Sequence, residues 1–182
     1  MHVSASLSAV LVCGMVTHAS ANQPKSDETG QPAAGALQLQ IKPIKDVFSA
    51  DDAVAFEVTF ENKGDKDLVL SAGSLLGNGA ELWDNLSIRL RDASGAEIPV
   101  SLGWGVPGVA GRIYPLNLPL RAGSRYVLKV KNRDYFINNG DKIGRGKYSM
   151  TSTFKGTRHD PSDLPLPWDE DVTSKSVSFE VR

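Results

Sequence analysis

From Leu37 onward, apolar and polar residues alternate with a period of two, and almost no part of the chain carries a helical period. Successive side chains of a strand point to opposite faces, so each such segment has one face to bury. In "LQLQIKPI" the buried set is Leu37, Leu39 and Ile41, with Gln38, Gln40 and Lys42 opposite. In "AVAFEVTF" it is Val54, Phe56, Val58 and Phe60, with Glu57 and Thr59 pointing out, and "LVLSA" then pairs back after the turn-like "ENKGDKD". "NLSIRLR" buries Leu86, Ile88 and Leu90, and "DASGAEIPV" supplies a turn and a short strand. "RYVLKVK" buries Tyr126, Leu128 and Val130, "KYSMTSTF" buries Tyr148, Met150 and Phe154, and "SVSFEV" buries Val177, Phe179 and Val181. About seven or eight strands, each with one apolar face, close most naturally as a two-layer antiparallel sandwich.

The stretch "GRGKYSM" makes the expectation narrower. It sets Gly146 two residues before Tyr148 at the start of the penultimate strand, where immunoglobulin-like sandwiches use a tyrosine whose hydroxyl bonds back to upstream backbone. Gly144 stands where that corner commonly has an aspartate, so the match is partial and an ordinary half-buried strand tyrosine is the alternative. The fold class expected is therefore all-β, an immunoglobulin-like antiparallel sandwich of about seven or eight strands with two long loop insertions.

Ahead of the strands, an apolar stretch around Leu7 to Val16 precedes Ala19-Ser20-Ala21, the layout of a cleavable secretory signal without the usual basic start. The organisation expected is a signal peptide over 1–21, a flexible linker over 22–36 ("NQPKSDETGQPAAGA") and a sandwich domain over 37–182. An anchor at Cys13 is disfavoured by Val12 before it, and a membrane span by the shortness of the apolar run. Cleavage after Ala21 leaves His159 as the last histidine and no cysteine, which excludes disulfide frameworks, thiolate nucleophiles and multi-histidine metal sites. The expected location is periplasmic or secreted.

Lysines and arginines number 20 against 21 acids, spread in ones and twos, which argues against a nucleic-acid partner and against membrane insertion after signal cleavage. No cofactor is expected. Chemistry is sought in the two insertions. The first, over 101–119, carries Trp104, Arg112 and Tyr114 among glycines and prolines; aromatic and arginine anchors suit protein contact, while capping of the sandwich end is the plainer reading. Its glycines do not match a phosphate-cradling loop.

The second insertion, "HDPSDLPLPWDED", places His159 beside Asp160 and Asp163, but no Gly-x-Ser-x-Gly elbow presents a nucleophile. Its carboxylates lack the spacing of a calcium loop, and Pro161, Pro165 and Pro167 restrict wrapping. Trp168 is instead the structural residue there, an indole laid onto the sandwich while the neighbouring charges stay in water. A hydrolase using paired carboxylates from distant positions is a further possibility that no motif supports.

The blocks "FSADDAVAFEVTFENKGDKDLVL", "RDASGAEIPV", "LPLRAGSRYVLKV" and "RGKYSM", in that order, resemble the strand blocks of Ig-like accessory modules of bacterial secreted proteins. They are also similar to the bacterial intracellular proteinase inhibitor family and to the N-terminal sandwich of some secreted metallopeptidases. The likeness covers most of 44–155 and implies a fold more firmly than a function. The expectation is an exported, non-catalytic binding module that recognises another secreted or envelope protein, with inhibition as one form of that binding. A structural or assembly factor offering an uncharged edge strand is the alternative, and the carboxylate hydrolase comes third.

Overall fold

The computed structural model describes residues 35–102, 111–131, 135–137, 143–157 and 168–182. The signal segment with Cys13, the linker up to residue 34, Trp104, and His159 with Asp160 and Asp163 lie outside the described residues.

The described residues form an all-β sandwich of thirteen strands: β1 (Leu37–Pro43), β2 (Val47–Phe48), β3 (Phe56–Asn62), β4 (Leu68–Leu76), β5 (Glu81–Leu82), β6 (Leu86–Asp92), β7 (Glu97–Leu102), β8 (Ile113–Leu120), β9 (Arg125–Val130), β10 (Tyr135–Ile137), β11 (Gly146–Phe154), β12 (Val172–Thr173) and β13 (Val177–Val181). The five strands beyond eight are β2, β5 and β12, two-residue pairings too short to leave an alternation in the sequence, the three-residue β10, and β8, which lies in the stretch read as a loop insertion.

Sheet I runs β1-β3-β9, sheet II runs β10-β7-β6-β11-β13-β2 with β12 on β11, and sheet III runs β5-β4-β8. Every ladder is antiparallel except β13 with β2. The alternation of the sequence becomes alternation of burial: β1 and β3 each present four buried residues on one face. Phe60 of β3 meets Phe154 of β11 edge-on at 5.6 Å, joining sheet I to sheet II across the layer between them. Leu68, Leu70 and Ala72 of sheet III belong to the same core, as does Ala36 ahead of β1.

Sheets I and III are consecutive lengths of one antiparallel ribbon. β3 passes into β4 and β8 passes into β9 at the same level, so β3 with β9 and β4 with β8 are successive pairs of the same two chain directions. Ala122 N–H donates to Asp67 Oδ1 at 2.9 Å across this corner. Tyr126 and Leu128 are half-buried rather than buried, β9 having no further strand beside it in sheet I among the described residues.

Candidate protein-contact surface

Of residues 101–119, Ser101 and Leu102 close β7 and Ile113 to Pro119 belong to β8, so much of what the sequence presents as a loop is strand. The physical reason lies in "IYPLNLPL". Tyr114, Leu116, Leu118 and Leu120 share one face, yet Pro115 and Pro119 interrupt a strand pattern and hide it. Among the described residues β8 pairs with β4 alone, over Leu68↔Leu120 to Leu76↔Ile113, and is an edge strand where proline is tolerated.

The orientation of that edge follows from bonds on the other side of β4. Val69 O accepts the N–H of Trp168 at 2.8 Å, and Ser71 O accepts Asn85 Nδ2–H at 2.7 Å. Both carbonyls therefore point away from β8, and their register partners Pro119 and Asn117 turn their own backbone to the outside. Pro115, two residues further on, does the same. With proline at two of these outward positions, the edge keeps its carbonyls but loses donors a fourth strand would need.

Along the inner face, burial falls steadily from Leu120 through half-buried Leu118 and Leu116 to Tyr114, 47 % exposed at the tip. Ile113, on the opposite face, is 62 % exposed. Arg112 is exposed beside them. Gly77 and Gly111 let the ribbon ends meet: a Cβ on Gly77 would stand 3.3 Å from both N and O of Arg112. No charged residue occurs from Ile113 to Leu120. The structure thus brings Arg112 and Tyr114 together with Ile113, which sequence reasoning missed; the period-two pattern of "IYPLNLPL" was the available signal.

Tyr148 and Trp168 have different surroundings. Tyr148 Oη donates to Gly144 O at 2.8 Å, and its ring stacks on Phe179 with centroids 5.5 Å apart. Burial, then the charge of Asp92, raises its pKa above the ordinary phenol value. Trp168 is 2 % exposed, its Nε1–H donates to Glu170 O at 2.6 Å, and its carbonyl accepts Thr157 N–H at 3.0 Å. The charges beside it are not all idle, because Asp171 Oδ1 accepts Gly156 N–H at 3.0 Å. Gly156 is needed there: a Cβ would lie 2.1 Å from the carbonyl carbon of Asp169.

Trp83 completes the inner aromatic set, stacked at 6.0 Å on both Phe60 and Tyr126, and nothing in the local pattern of "ELWDN" marks it as core. A cleft of about 450 Å³ lies near the other end, lined by Asp46, Asp92, Lys147, Tyr148, Phe179 and Glu180 among others. Two of its carboxylates, Asp92 and Glu180, are shifted toward the ionised form. Asp92 lies below the usual carboxylate range because the Ser94 hydroxyl and nearby backbone N–H groups donate to it, and Glu180 is lowered by its hydrogen bonds and charge pairing with Arg182. Neither has the raised pKa that a general acid at neutral pH requires. Among the described residues, no group of three or more His, Cys, Asp or Glu side chains is placed to hold a metal ion.

No family model matches the chain, and no curated protein does. Among solved structures, the CARDB domain of a Pyrococcus furiosus protein, crystallised in complex with di-metal ions, is 13% identical over 83% of this chain and 94% of that one, with a TM-score of 0.37. The solution NMR structure of the CARDB domain from the same organism is 13% identical over 83% and 95%, with a TM-score of 0.35. A β-glucosidase from Erythrobacter marinus is 12% identical over 80% of this chain and only 16% of its own length, at a TM-score of 0.34. Nothing about metals, ligands or catalysis passes from these proteins to this chain.

Proposed function

We propose that the chain is an exported, non-catalytic binding module that recognises another secreted or envelope protein through the tip of the β4–β8 ribbon. The N-terminal apolar stretch ending in Ala19-Ser20-Ala21 supports export. The observation that carries the contact surface is the pair Ile113 and Tyr114, adjacent large apolar side chains 62 % and 47 % exposed on a strand end without charge. Such side chains bury much area for few frozen torsions, and Arg112 beside them adds a directional donor set. Contact here is made by side chains rather than by strand addition, since Pro115 and Pro119 remove outward donors from the β8 edge.

The test begins with the full-length chain expressed in its native envelope and a partner recovered by cross-linking, then purified. Ile113→Ser with Tyr114→Ala should weaken the measured affinity by roughly 2 kcal/mol or more while the thermal midpoint stays within a few degrees. Unchanged affinity in a folded double variant would remove the tip from the interface. Unfolding of the variant would make these residues part of the scaffold.

A further inference from the structure

The outer edge of β9 differs from that of β8 in the property that matters for pairing. Asn62 N–H donates to Ser124 O at 2.9 Å, one step beyond the Glu61↔Arg125 register pair. Hydrogen-bonded and non-hydrogen-bonded pairs alternate along an antiparallel ladder, so 60/126, 58/128 and 56/130 are bonded to β3 while Arg125, Val127 and Lys129 turn their backbone outward. None of these is proline, and the edge keeps every N–H and C=O. Among the described residues no strand pairs with it.

The side chains on that edge specify what would fit. On the outward face, Glu61, Thr59 and Glu57 of β3 stand opposite Arg125, Val127 and Lys129 of β9. Lys129 Nζ lies 3.6 Å from Glu57 Oε1, and Val127 is 36 % exposed. The rows therefore read acid, polar, acid and then base, apolar, base. Opposite charges directly across a ladder stabilise it and like charges oppose it. A second copy of β9 docked antiparallel about Val127 would set Arg125 against Lys129, so self-pairing is disfavoured.

We infer that the β9 edge accepts, as a fourth strand of sheet I, an extended partner segment carrying acid, apolar and acid residues at alternate positions. The two residues between face the half-buried side of Tyr126 and Leu128 and are apolar. Main-chain bonds to Arg125, Val127 and Lys129 hold the segment, and the charge rows select it. The surface uses none of the residues at the β8 tip and is independent of the reading above.

The probe is a soluble peptide with Glu-Val-Val-Leu-Glu between Ser-Gly flanks, compared with Lys-Val-Val-Leu-Lys in the same flanks, titrated into the full chain and followed by amide hydrogen exchange. The acidic peptide should bind at least about ten-fold more tightly than the basic one and slow exchange at Arg125, Val127 and Lys129. Arg125→Gln with Lys129→Gln should erase the preference between peptides, and Val127→Pro, where it folds, should abolish binding. Tyr114→Ala should leave peptide binding unchanged, which separates this edge from the β8 tip. Equal binding of the two peptides, protection mapping to other strands, or a preference that survives the double glutamine change would overturn the inference.

Discussion

The side-chain amide of Asn62 donates to the carbonyl of Leu120 across 3.0 Å, tying the end of β3 to the end of β8 where the ribbon passes from sheet I to sheet III. The same nitrogen donates to Lys66 O at 2.7 Å, and Oδ1 accepts Gly64 N–H at 2.9 Å. Asn62 is fully buried, so water cannot replace these bonds. Asn62→Ala should cost about 2–4 kcal/mol by orphaning several backbone groups. Asn62→Asp, nearly the same shape, should be no better, because it turns the donor toward two carbonyls into an acceptor. Urea midpoints at neutral pH distinguish the cases; an Ala variant with the parent's midpoint would show that the corner holds without its amide.

Tyr148→Phe keeps the stack on Phe179 and removes only the hydroxyl bonded to Gly144 O. The change should cost about 1 kcal/mol. A denaturation midpoint indistinguishable from the parent's would reduce Tyr148 to a packing residue.

Trp168 joins β4 to the end of β11 through its backbone and fills core with its indole. Trp168→Ala should lose about 3–5 kcal/mol. Asp171→Asn should be nearly silent, since the amide oxygen can still accept Gly156 N–H, whereas Asp171→Ala should cost about 0.5–1.5 kcal/mol. Equal stability of the Asn and Ala variants, read from thermal melts, would mean that the Asp171 contact contributes nothing.

The period-two segments show how far the residues alone reach. Leu37, Leu39, Ile41, Phe56, Val58, Phe60, Leu86, Ile88 and Leu90 all face the core as their alternation requires, because strand geometry couples sequence parity directly to face. Pairing is another matter. The partnership of β3 with β9, more than sixty residues apart, and the shared corner at Asn62 depend on long-range contacts that no local pattern encodes. β8 was obscured for a local reason, its prolines, and with it the exposure of Ile113. Asn62 reads as a turn residue after "VTFE" and is instead a buried cross-link, which only its three partners reveal.

Buried Ser152 presents the reverse case, a polar side chain whose hydroxyl lacks a hydrogen-bond partner among the described residues. Its backbone N–H is satisfied by Ser174 Oγ at 2.9 Å, and its carbonyl accepts Ser174 N–H at 2.8 Å, so the side chain carries no part of that bridge. Ser152→Ala should therefore be neutral or stabilising by up to about 1 kcal/mol, whereas Ser174→Ala should destabilise by about as much through the orphaned Ser152 N–H. A clear loss of stability in Ser152→Ala, measured by urea titration, would show that its hydroxyl has a partner in solution.

Acid sensitivity should come from carboxylates that fold into donors. Asp52, Asp92 and Glu180 are all shifted below their ordinary values, Asp52 chiefly by the Ser49 N–H and Lys45, Asp92 chiefly by the Ser94 hydroxyl, and Glu180 chiefly by Arg182. A carboxyl with a lower pKa in the folded state stabilises that state above its unfolded pKa, and the contribution disappears as pH falls through the folded value. The thermal midpoint should thus show no carboxylate-driven loss above about pH 5 and should decline below about pH 4. Asp92 Oδ1 accepts from Ser94 N–H, Ser94 Oγ–H and Ala96 N–H, and an asparagine oxygen can accept the same bonds. Asp92→Asn should accordingly leave the neutral-pH midpoint nearly unchanged and make the acid limb shallower. An acid limb of the same steepness in parent and variant would show that the turn at Asp92 is not linked to proton uptake.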